Sequence, residues 1–248
     1  PDVRVFEVVD QGDGRVRGLF YLDNFARPGK KSGAWAVGYR EQHRLNGPII
    51  PLVSNNNNFV KPPAGERALV SMDDVRTLFH EFGHALHALL QDVAYPSLAE
   101  TPNDFVEFPS QLHEYWMFAR DTLDRFARHA ETGEPIPAEL IEKVERSLHF
   151  NQGYATVEYL AAAILDMELH SRSEPLDDPG AFEREELARI GMPPEVVLRH
   201  RLPHFDHLFG SDAYAAGYYS YLWAEVLAAD AWQAFQDAGG PWDEGTAR

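Results

Sequence analysis

The chain of 248 residues is 44% hydrophobic and 12% aromatic, which is enough apolar material for one substantial core. Its 22 basic and 39 acidic residues give a formal net charge of -17, which argues against nucleic acid or an anionic membrane as a partner because phosphate groups are bound by basic surfaces. No cysteine is present, so disulfides and thiolate zinc sites are excluded, and any bound metal must be held by histidines and carboxylates.

The N-terminal part of the chain, residues 1–62, is predicted to form a small antiparallel β region with loops. Alternating apolar residues before and after the turn-forming stretch 10–14 predict a β-hairpin. Another turn precedes the aromatic-bearing segment 33–39, and the apolar stretch 48–54 is a candidate strand. The four consecutive asparagines at 55–58 are predicted to lie in a connecting loop.

The chain after this region is predicted to be mostly helical. Ser71, Asp73 or Asp74 is expected to cap the first helix. A second helix is predicted from near Asp104 towards Ala130, with a proline in its first turn, where proline is tolerated. Helical spacing recurs in four later segments: 138–150, 156–172, 178–190 and about 213–236.

The first predicted helix carries the pattern His-Glu-x-x-His, formed by His80, Glu81 and His84. On a helix the two imidazoles lie on one face, one turn apart, and can converge on a single metal ion. Glu81 lies about 100° around the helix from His80, where its carboxylate can hold a proton from a water on that metal. His87 is about 10 Å along the axis from His80, too far to share an ion. For His87 we therefore favour a packing role, or contact with one of the metal-binding side chains, over direct binding of the metal.

A hydrolytic zinc centre usually has three protein ligands and a water, so a third ligand is expected on a neighbouring helix. The candidates are Glu100, Asp104, Glu107 and Glu114. Glu107 fits best, because Glu107, Gln111 and Glu114 form one polar stripe on a helix otherwise rich in Phe, Leu and Trp. Alone, such a stripe is more simply a solvated helix face. Next to the His-Glu-x-x-His pattern we favour Glu107 as the ligand, with Glu114 and Asp104 orienting the imidazoles.

A second candidate cluster lies between His204 and Trp223. Tyr214, Tyr218 and Tyr221 follow a spacing of i, i+4 and i+7 and are predicted to share one face of the last helix. An aromatic core stripe is the simpler explanation, but three buried phenol groups each need a hydrogen-bond partner, which a peptide carbonyl in a cleft would supply. A tyrosine hydroxyl directed at a developing oxyanion stabilises a tetrahedral intermediate.

Three motifs in this order resemble the thimet-oligopeptidase family of zinc metallopeptidases, closest to its bacterial peptidyl-dipeptidase and oligopeptidase A branch. The motifs are 79–87, 104–111 and 214–221. Segments 33–35 and 150–154 also match, so the resemblance spans essentially the whole chain. It implies one zincin-type, neurolysin-like catalytic domain over residues 1–248, mainly α from residue 71 onward, with the small β region at its N-terminus.

The resemblance also implies a metal site. One zinc ion would be held by His80, His84 and Glu107, with Glu81 as general base. Two further groups would contact the substrate or the reaction intermediate. In the first, Tyr218 binds substrate and the catalytic members are His207, Tyr214 and Tyr221. The second lines the cleft as a strand to which an extended peptide adds, and it comprises Gly33, Ala34 and Trp35.

The chain departs from the family pattern in three places. The stretch between His84 and Glu107 is shorter than usual, with 98–101 in place of a Ser-Gly-Thr-containing loop. The turn before Tyr214 contains fewer glycines. The family's N-terminal helical region, which forms the opposite wall of a channel, and its last helices are absent, so we expect a catalytic-core fragment.

The sequence therefore predicts zinc-dependent hydrolysis of short peptides, and the resemblance suggests release of C-terminal dipeptides. A general oligopeptidase is the alternative enzyme, and a zinc- or peptide-binding module without turnover is the alternative of another class. Arg44, Arg199 and Arg201 are candidate partners for a C-terminal carboxylate, although surface solvation is the simpler role for each. We expect a monomeric, cytoplasmic protein that acts on short peptides, without nucleic-acid or membrane partners.

Overall fold

A four-stranded mixed sheet opens the chain, of which the computed structural model describes residues 2–247. Its strands are β1 (Val3–Val9), β2 (Val16–Phe25), β3 (Trp35–Arg40) and β4 (Leu52–Phe59). In space they follow the order β1-β2-β4-β3. β1 and β2 form the predicted antiparallel hairpin, and β3 is antiparallel to β4. The pairing of β2 with β4 is parallel, so the sheet is not wholly antiparallel as expected.

The prediction of a loop at the four asparagines is wrong, because residues 55–58 lie within β4, and the candidate strand at 48–54 is displaced towards them. β4 lies between β2 and β3, so its peptide groups are hydrogen-bonded on both sides. The amide of Asn57 donates to Asn24 Oδ1 at 3.0 Å, and that of Asn56 donates to Ser54 Oγ at 2.9 Å. Sheet pairing and these amide bonds outweigh the low strand propensity of asparagine.

Eight α-helices follow in the described part of the chain. They are α1 (Met72–Leu90), α2 (Glu107–Phe118), α3 (Arg120–Phe126), α4 (Ala138–Leu148), α5 (Gln152–His170), α6 (Pro179–Arg189), α7 (Asp206–Phe209) and α8 (Ser220–Asp237). The mainly α fold with a small N-terminal β region is therefore confirmed. No helix within residues 2–247 combines the length and the apolar character needed to span a membrane.

Two predicted helices differ from those observed. The helix predicted from Asp104 to Ala130 is two helices, because Ala119 adopts an extended conformation between α2 and α3. The helix predicted from residue 213 begins only at Ser220, because Ala216 has a left-handed φ of 55° that no helix accommodates. Neither break coincides with a proline, and Ala119 has no glycine beside it, so the local sequence does not predict where the helices break.

The chain divides into two compact units. The first comprises the chain up to Leu123 together with the chain from Ala224, and the second is Asp124–Trp223. In the first unit α1 packs on the sheet, and their shared core contains Phe20, Val53, Ala85 and Leu89. The second unit has its own core around α5, whose buried members are Ala161, Ala162, Leu165, Phe182, Leu198, Leu202, Phe205 and Leu208. The expectation of a single domain stays a prediction.

Candidate functional site

The helix α1 is fixed at its start and presents both histidines of the motif on one face. Ser71 and Asp74 form a reciprocal capping box, in which Ser71 Oγ accepts the Asp74 N–H at 3.1 Å and the Asp74 carboxylate accepts the Ser71 N–H at 2.9 Å. One of the three predicted caps is thereby confirmed. The imidazole rings of His80 and His84 lie 5.0 Å apart, with their planes at 84°.

Glu107, the first residue of α2, meets both imidazoles. Its Oε2 lies 3.1 Å from Nε2 of His80 and 3.3 Å from Nε2 of His84. The three ligand atoms lie within 4.8 Å of one another. Two imidazole nitrogens and one carboxylate oxygen are a ligand set that zinc takes in hydrolytic enzymes, and their closeness fits a single ion. The structure thus brings together the three residues predicted as metal ligands.

Glu114, two turns beyond Glu107 on the same stripe of α2, contacts the other side of the His80 ring. Its Oε1 accepts a hydrogen bond from Nδ1 of His80 at 2.7 Å, while its Oε2 pairs with Nε of Arg76 at 2.5 Å. The expected orienting role of Glu114 agrees with this contact. With Nδ1 donating to a carboxylate, the Nε2 atom of His80 is left to face Glu107.

Electrostatics couple these groups in the metal-free protein. Burial opposes the charged form of His80, but hydrogen bonds to Glu107 and Glu114 outweigh it and raise the pKa of His80 to about 10. Burial likewise opposes ionisation of Glu107, yet the hydrogen bonds to His80 and His84 hold its pKa far below the ordinary value. The pKa of Glu114 is also lowered, because its bonds to His80 and Arg76 outweigh burial.

Glu81, the predicted general base, points away from solvent and lacks one hydrogen bond. Only 5% of the residue is exposed, and within the described residues its Oε2 has no hydrogen-bond partner. Burial raises the pKa of Glu81, and the nearby His80 and His84 offset part of that rise. A buried carboxylate with an unpaired oxygen is costly to fold, which is typical of a group kept for chemistry.

A glycine inside the motif allows α1 and α2 to approach closely. A Cβ at Gly83 would lie 2.6 Å from Cα of Ser110 and 2.7 Å from the carbonyl oxygen of Pro109, both backbone atoms of α2. Ser110, fully buried, donates its hydroxyl to the Glu107 carbonyl at 2.8 Å. Gly83 and Ser110 therefore set where Glu107 begins α2. Neither residue is predicted from the sequence, although a glycine in mid-helix is a signal for close packing.

His87 and His113 lie close to this group without being part of it. His87 is not among the three converging ligand groups, as the spacing argument predicts, and burial lowers its pKa. His113 on α2 binds the Phe79 carbonyl through Nδ1 at 2.7 Å and stacks on the Phe79 ring. His113 therefore ties α2 to α1 one residue before the motif.

The segment Gly33, Ala34 and Trp35 leads into β3, one of the two end strands of the described sheet. Only Trp35 is in the strand, and Gly33 has a left-handed φ of 87°. Two asparagines of β4 hold this segment. Asn58 donates to the Gly33 carbonyl at 2.7 Å, and Asn56 donates to the Trp35 carbonyl at 3.3 Å. The role of the three residues in substrate binding stays a prediction.

In the second unit, His207 and the three tyrosines form one aromatic cluster. The His207 ring lies 5.0 Å from Tyr214, 5.4 Å from Tyr218 and 5.8 Å from Tyr221. Nε2 of His207 lies 3.4 Å from the Tyr221 hydroxyl. The predicted common helical face is wrong, since Tyr214 ends a 3₁₀ turn (Asp212–Tyr214), Tyr218 lies in the following turn and Tyr221 in α8. Ala216 takes a left-handed φ of 55° between Tyr214 and Tyr218, and the three tyrosines meet around His207 instead.

Comparison with known proteins adds independent findings. A family model described as "Peptidase family M3" matches residues 1–246. The dipeptidyl carboxypeptidase of Salmonella typhimurium is 45% identical over 245 residues, which are 97% of this chain and 36% of that protein. Oligopeptidase A of Escherichia coli is 40% identical over 250 residues, which are 96% of this chain and 36% of that protein. The chain thus spans little more than a third of these relatives.

Proposed function

The chain belongs to peptidase family M3, and we propose that it is the catalytic core of a zinc-dependent metallopeptidase that hydrolyses short peptides. The observation that carries this function is the convergence of His80, His84 and Glu107, beside the buried carboxylate of Glu81 with its unpartnered oxygen. No cysteine competes for a soft metal, and an N₂O ligand set suits catalytic zinc.

The residues of α1 and α2 would divide the work of hydrolysis. Zinc, when bound by the three ligands, lowers the pKa of a water and polarises the scissile carbonyl. Glu81 accepts the proton of the attacking water at its unpartnered Oε2 and later delivers it to the leaving amine. Burial raises the pKa of Glu81, which favours the protonated form that must make this delivery. Glu114 keeps the His80 ring in its ligating orientation.

The remaining predicted residues would bind the peptide and its oxyanion. We propose that an extended peptide adds to the outer edge of β3, next to Gly33 and Trp35, because an end strand offers unpaired backbone groups. For the aromatic cluster of the second unit we propose hydrogen-bond donation to the developing oxyanion, by His207 and its neighbouring tyrosines. This role rests on the family resemblance and on the mutual contacts of the cluster.

Release of C-terminal dipeptides is the proposed cleavage mode, since a relative with 45% identity carries the name dipeptidyl carboxypeptidase. Such cleavage needs a cation for the terminal carboxylate. Arg44 is ion-paired with Asp92, and Arg201 with Glu183. Arg199 is exposed and lies close enough to Tyr218 for its charge to offset part of the rise in the pKa of Tyr218 that burial causes. Arg199 is therefore the best of the three candidates. An endopeptidase mode is the second candidate, because oligopeptidase A is 40% identical.

Zinc analysis combined with peptide cleavage tests the function. The chain should bind one zinc ion, cleave a fluorogenic peptide, lose activity on chelation and regain it when zinc is restored. Glu107→Gln should lower zinc content, while an exposed control, Glu145→Gln, should not. Zinc-loaded protein that binds peptides without cleaving them would contradict an enzyme and support a binding module.

A second assay separates the two cleavage modes. A peptide and its C-terminally amidated form should differ by at least about tenfold in kcat/KM, because the amide removes the charge that Arg199 would pair with. Arg199→Gln should abolish that difference without affecting zinc content. Equal cleavage of the two peptides by the wild type would remove the dipeptidase mode. Cell fractionation and light scattering test the proposed cytoplasmic, monomeric state.

A further inference from the structure

The turn that bears Tyr214 and Tyr218 has an irregular backbone that its own sequence does not stabilise. Between the end of the 3₁₀ turn and the start of α8, Ala216 takes a left-handed φ of 55°, which alanine rarely adopts. A Cβ at Gly217 would lie only 3.2 Å from the Tyr214 carbonyl oxygen, so this turn is also tightly folded on itself. Such a backbone persists only where surrounding groups hold it.

Asp166, one turn before the end of α5, holds this turn with its carboxylate. Its Oδ1 accepts the Ala216 N–H at 3.0 Å, and its Oδ2 accepts the Tyr218 N–H at 2.9 Å. Nδ1 of His170, one turn further along α5, lies 2.7 Å from Oδ1 of Asp166 and donates to it. The carboxylate thus binds the strained residue and a tyrosine of the cluster at once, with His170 fixing the carboxylate itself.

Tyr159 holds the other end of the same turn. Its hydroxyl donates to the Tyr218 carbonyl and accepts the Leu222 N–H at 3.1 Å, bridging the turn to the first residues of α8. Its ring stacks on the Tyr218 ring with centroids 5.4 Å apart. Tyr159, Asp166 and His170 follow one another at i, i+7 and i+11, so a single face of α5 carries all three contacts.

The burial of Asp166 indicates that these contacts matter. The residue is 1% exposed and follows Leu165, a member of the second unit's apolar core. A carboxylate in such a place costs folding free energy unless its oxygens are hydrogen-bonded. The backbone bonds that Asp166 accepts from outside α5 both come from the tyrosine-bearing turn. An apolar residue would pack more simply there, so holding the turn accounts for the choice of aspartate.

We propose that Asp166 is a positioning residue for peptide hydrolysis, and that the α5 face of Tyr159, Asp166 and His170 sets the orientation of the tyrosines around His207. Asp166 touches no substrate in this scheme and acts through Tyr218 and its neighbours. The kinetic consequence rests on the proposed function, whereas the anchoring of the turn does not.

Hydrogen exchange of the 248-residue chain tests the anchoring without reference to activity. In Asp166→Asn the side-chain amide keeps one acceptor oxygen, but its NH₂ group faces a backbone N–H that it cannot accept, so one of the two hydrogen bonds to the turn is lost. We expect the amides of residues 214–219 to exchange about tenfold faster or more. The matched control is Glu183→Gln, a carboxylate of the same unit, 3% exposed, which accepts the Leu202 N–H at 3.0 Å. Its effect should appear near Leu202 and leave 214–219 within about twofold of wild type.

Kinetics of the zinc-loaded chain test the functional part. A shift of about 1 Å in a positioned group can cost about 10²-fold in rate, so Asp166→Asn should lower kcat by about 10- to 100-fold with KM and zinc content nearly unchanged. Tyr221→Phe should lower kcat by a much smaller factor in the Asp166→Asn background than in wild type, because the effects of coupled residues are not additive. Tyr159→Phe, which keeps the ring, should lower kcat less, and it replaces Asp166→Asn if that variant does not fold.

Different results would contradict the anchoring of the turn by Asp166 and its effect on peptide hydrolysis. Unchanged exchange at 214–219 in Asp166→Asn, or in its replacement, would overturn the anchoring. Additive kinetic effects of Asp166→Asn and Tyr221→Phe, or an equal loss of kcat in Glu183→Gln, would overturn positioning and leave general stability as the role. No hydrolysis by the zinc-loaded wild type would instead refute the proposed function, while hydrogen exchange still decides whether Asp166 holds the turn.

Discussion

Replacing Gly83 with alanine should loosen the metal site through the backbone alone. The added carbon would lie 2.6 Å and 2.7 Å from two backbone atoms of α2, about 1 Å inside ordinary contact. Alanine is favoured over glycine within a helix by about 1 kcal/mol. Overpacking costs about 1–3 kcal/mol, and the upper value applies because neither backbone atom can rotate away. The net expectation is a destabilisation of about 2 kcal/mol.

The same strain should reach the metal ligands. If α2 moves outward to accommodate the methyl group, Glu107 moves with it while His80 and His84 stay on α1. We therefore expect Gly83→Ala to bind zinc about tenfold more weakly or worse. Urea denaturation of the metal-free protein gives the stability, and competition with a chromophoric chelator gives the zinc affinity. The melting temperature should fall by about 4–8 °C for a chain of this size.

A matched glycine provides the control. Gly153 lies in the first turn of α5, and a Cβ there would meet no atom within 4 Å. Gly153→Ala should therefore stabilise the protein by about 0.5–1 kcal/mol and leave zinc affinity unchanged. A change of stability with the same size and sign in both variants, or a wild-type zinc affinity of Gly83→Ala, would contradict the close packing of Gly83 against α2.

The remaining predictions concern the ionisable groups around the metal ligands. Glu81→Gln should lower kcat by about 10²–10⁴-fold with unchanged zinc content, because an amide accepts no proton; kcat within tenfold of wild type would exclude a general base there. Glu114→Gln should weaken zinc binding by about 10- to 100-fold in chelator competition, and an unchanged affinity would show that its bond to His80 is dispensable. In the zinc-free protein the pKa of His80 is about 10, against an ordinary 6.5, because the hydrogen bonds to Glu107 and Glu114 outweigh burial. The stabilisation that protonated His80 gives the folded protein should be complete below about pH 6.5 and lost as the pH rises to about 10. A urea midpoint that does not fall over that pH range would contradict the interaction of His80 with the two glutamates.

The parts of the site that the sequence predicts are those set by local geometry. The helical repeat alone places His80 and His84 on one face and excludes His87 as a shared ligand. The polar stripe on α2 favours Glu107 among four acidic candidates once the His-Glu-x-x-His pattern calls for a third ligand, and Ser71 is one of the three residues predicted to cap α1. The two histidines and the cap follow from one helix alone, whereas Glu107 also requires that the next helix packs beside α1.

The parts that the sequence does not predict depend on partners distant in the chain. Residues 55–58 form a strand because β2 and β3 flank them, and strand pairing overrides a composition typical of loops. Ala216 takes a left-handed conformation because Asp166, 50 residues earlier, accepts its N–H. The spacing of the tyrosines imitates a helix, yet the turn at Ala216 separates them. A periodic pattern predicts that a segment is helical but does not predict a break that distant contacts cause.

The charges around His80 explain how two carboxylates can lie beside one imidazole in the metal-free protein. Glu107 and Glu114 are held on opposite sides of the His80 ring, and Arg76 pairs with only the outer one. Two carboxylates so placed would repel each other unless a positive charge lay between them, and in the metal-free protein the proton of His80 supplies it. A divalent ion held by His80, His84 and Glu107 would take the place of that positive charge, and Glu114 would keep its bond to Nδ1 of His80. We therefore expect binding of a divalent metal to release a proton from His80.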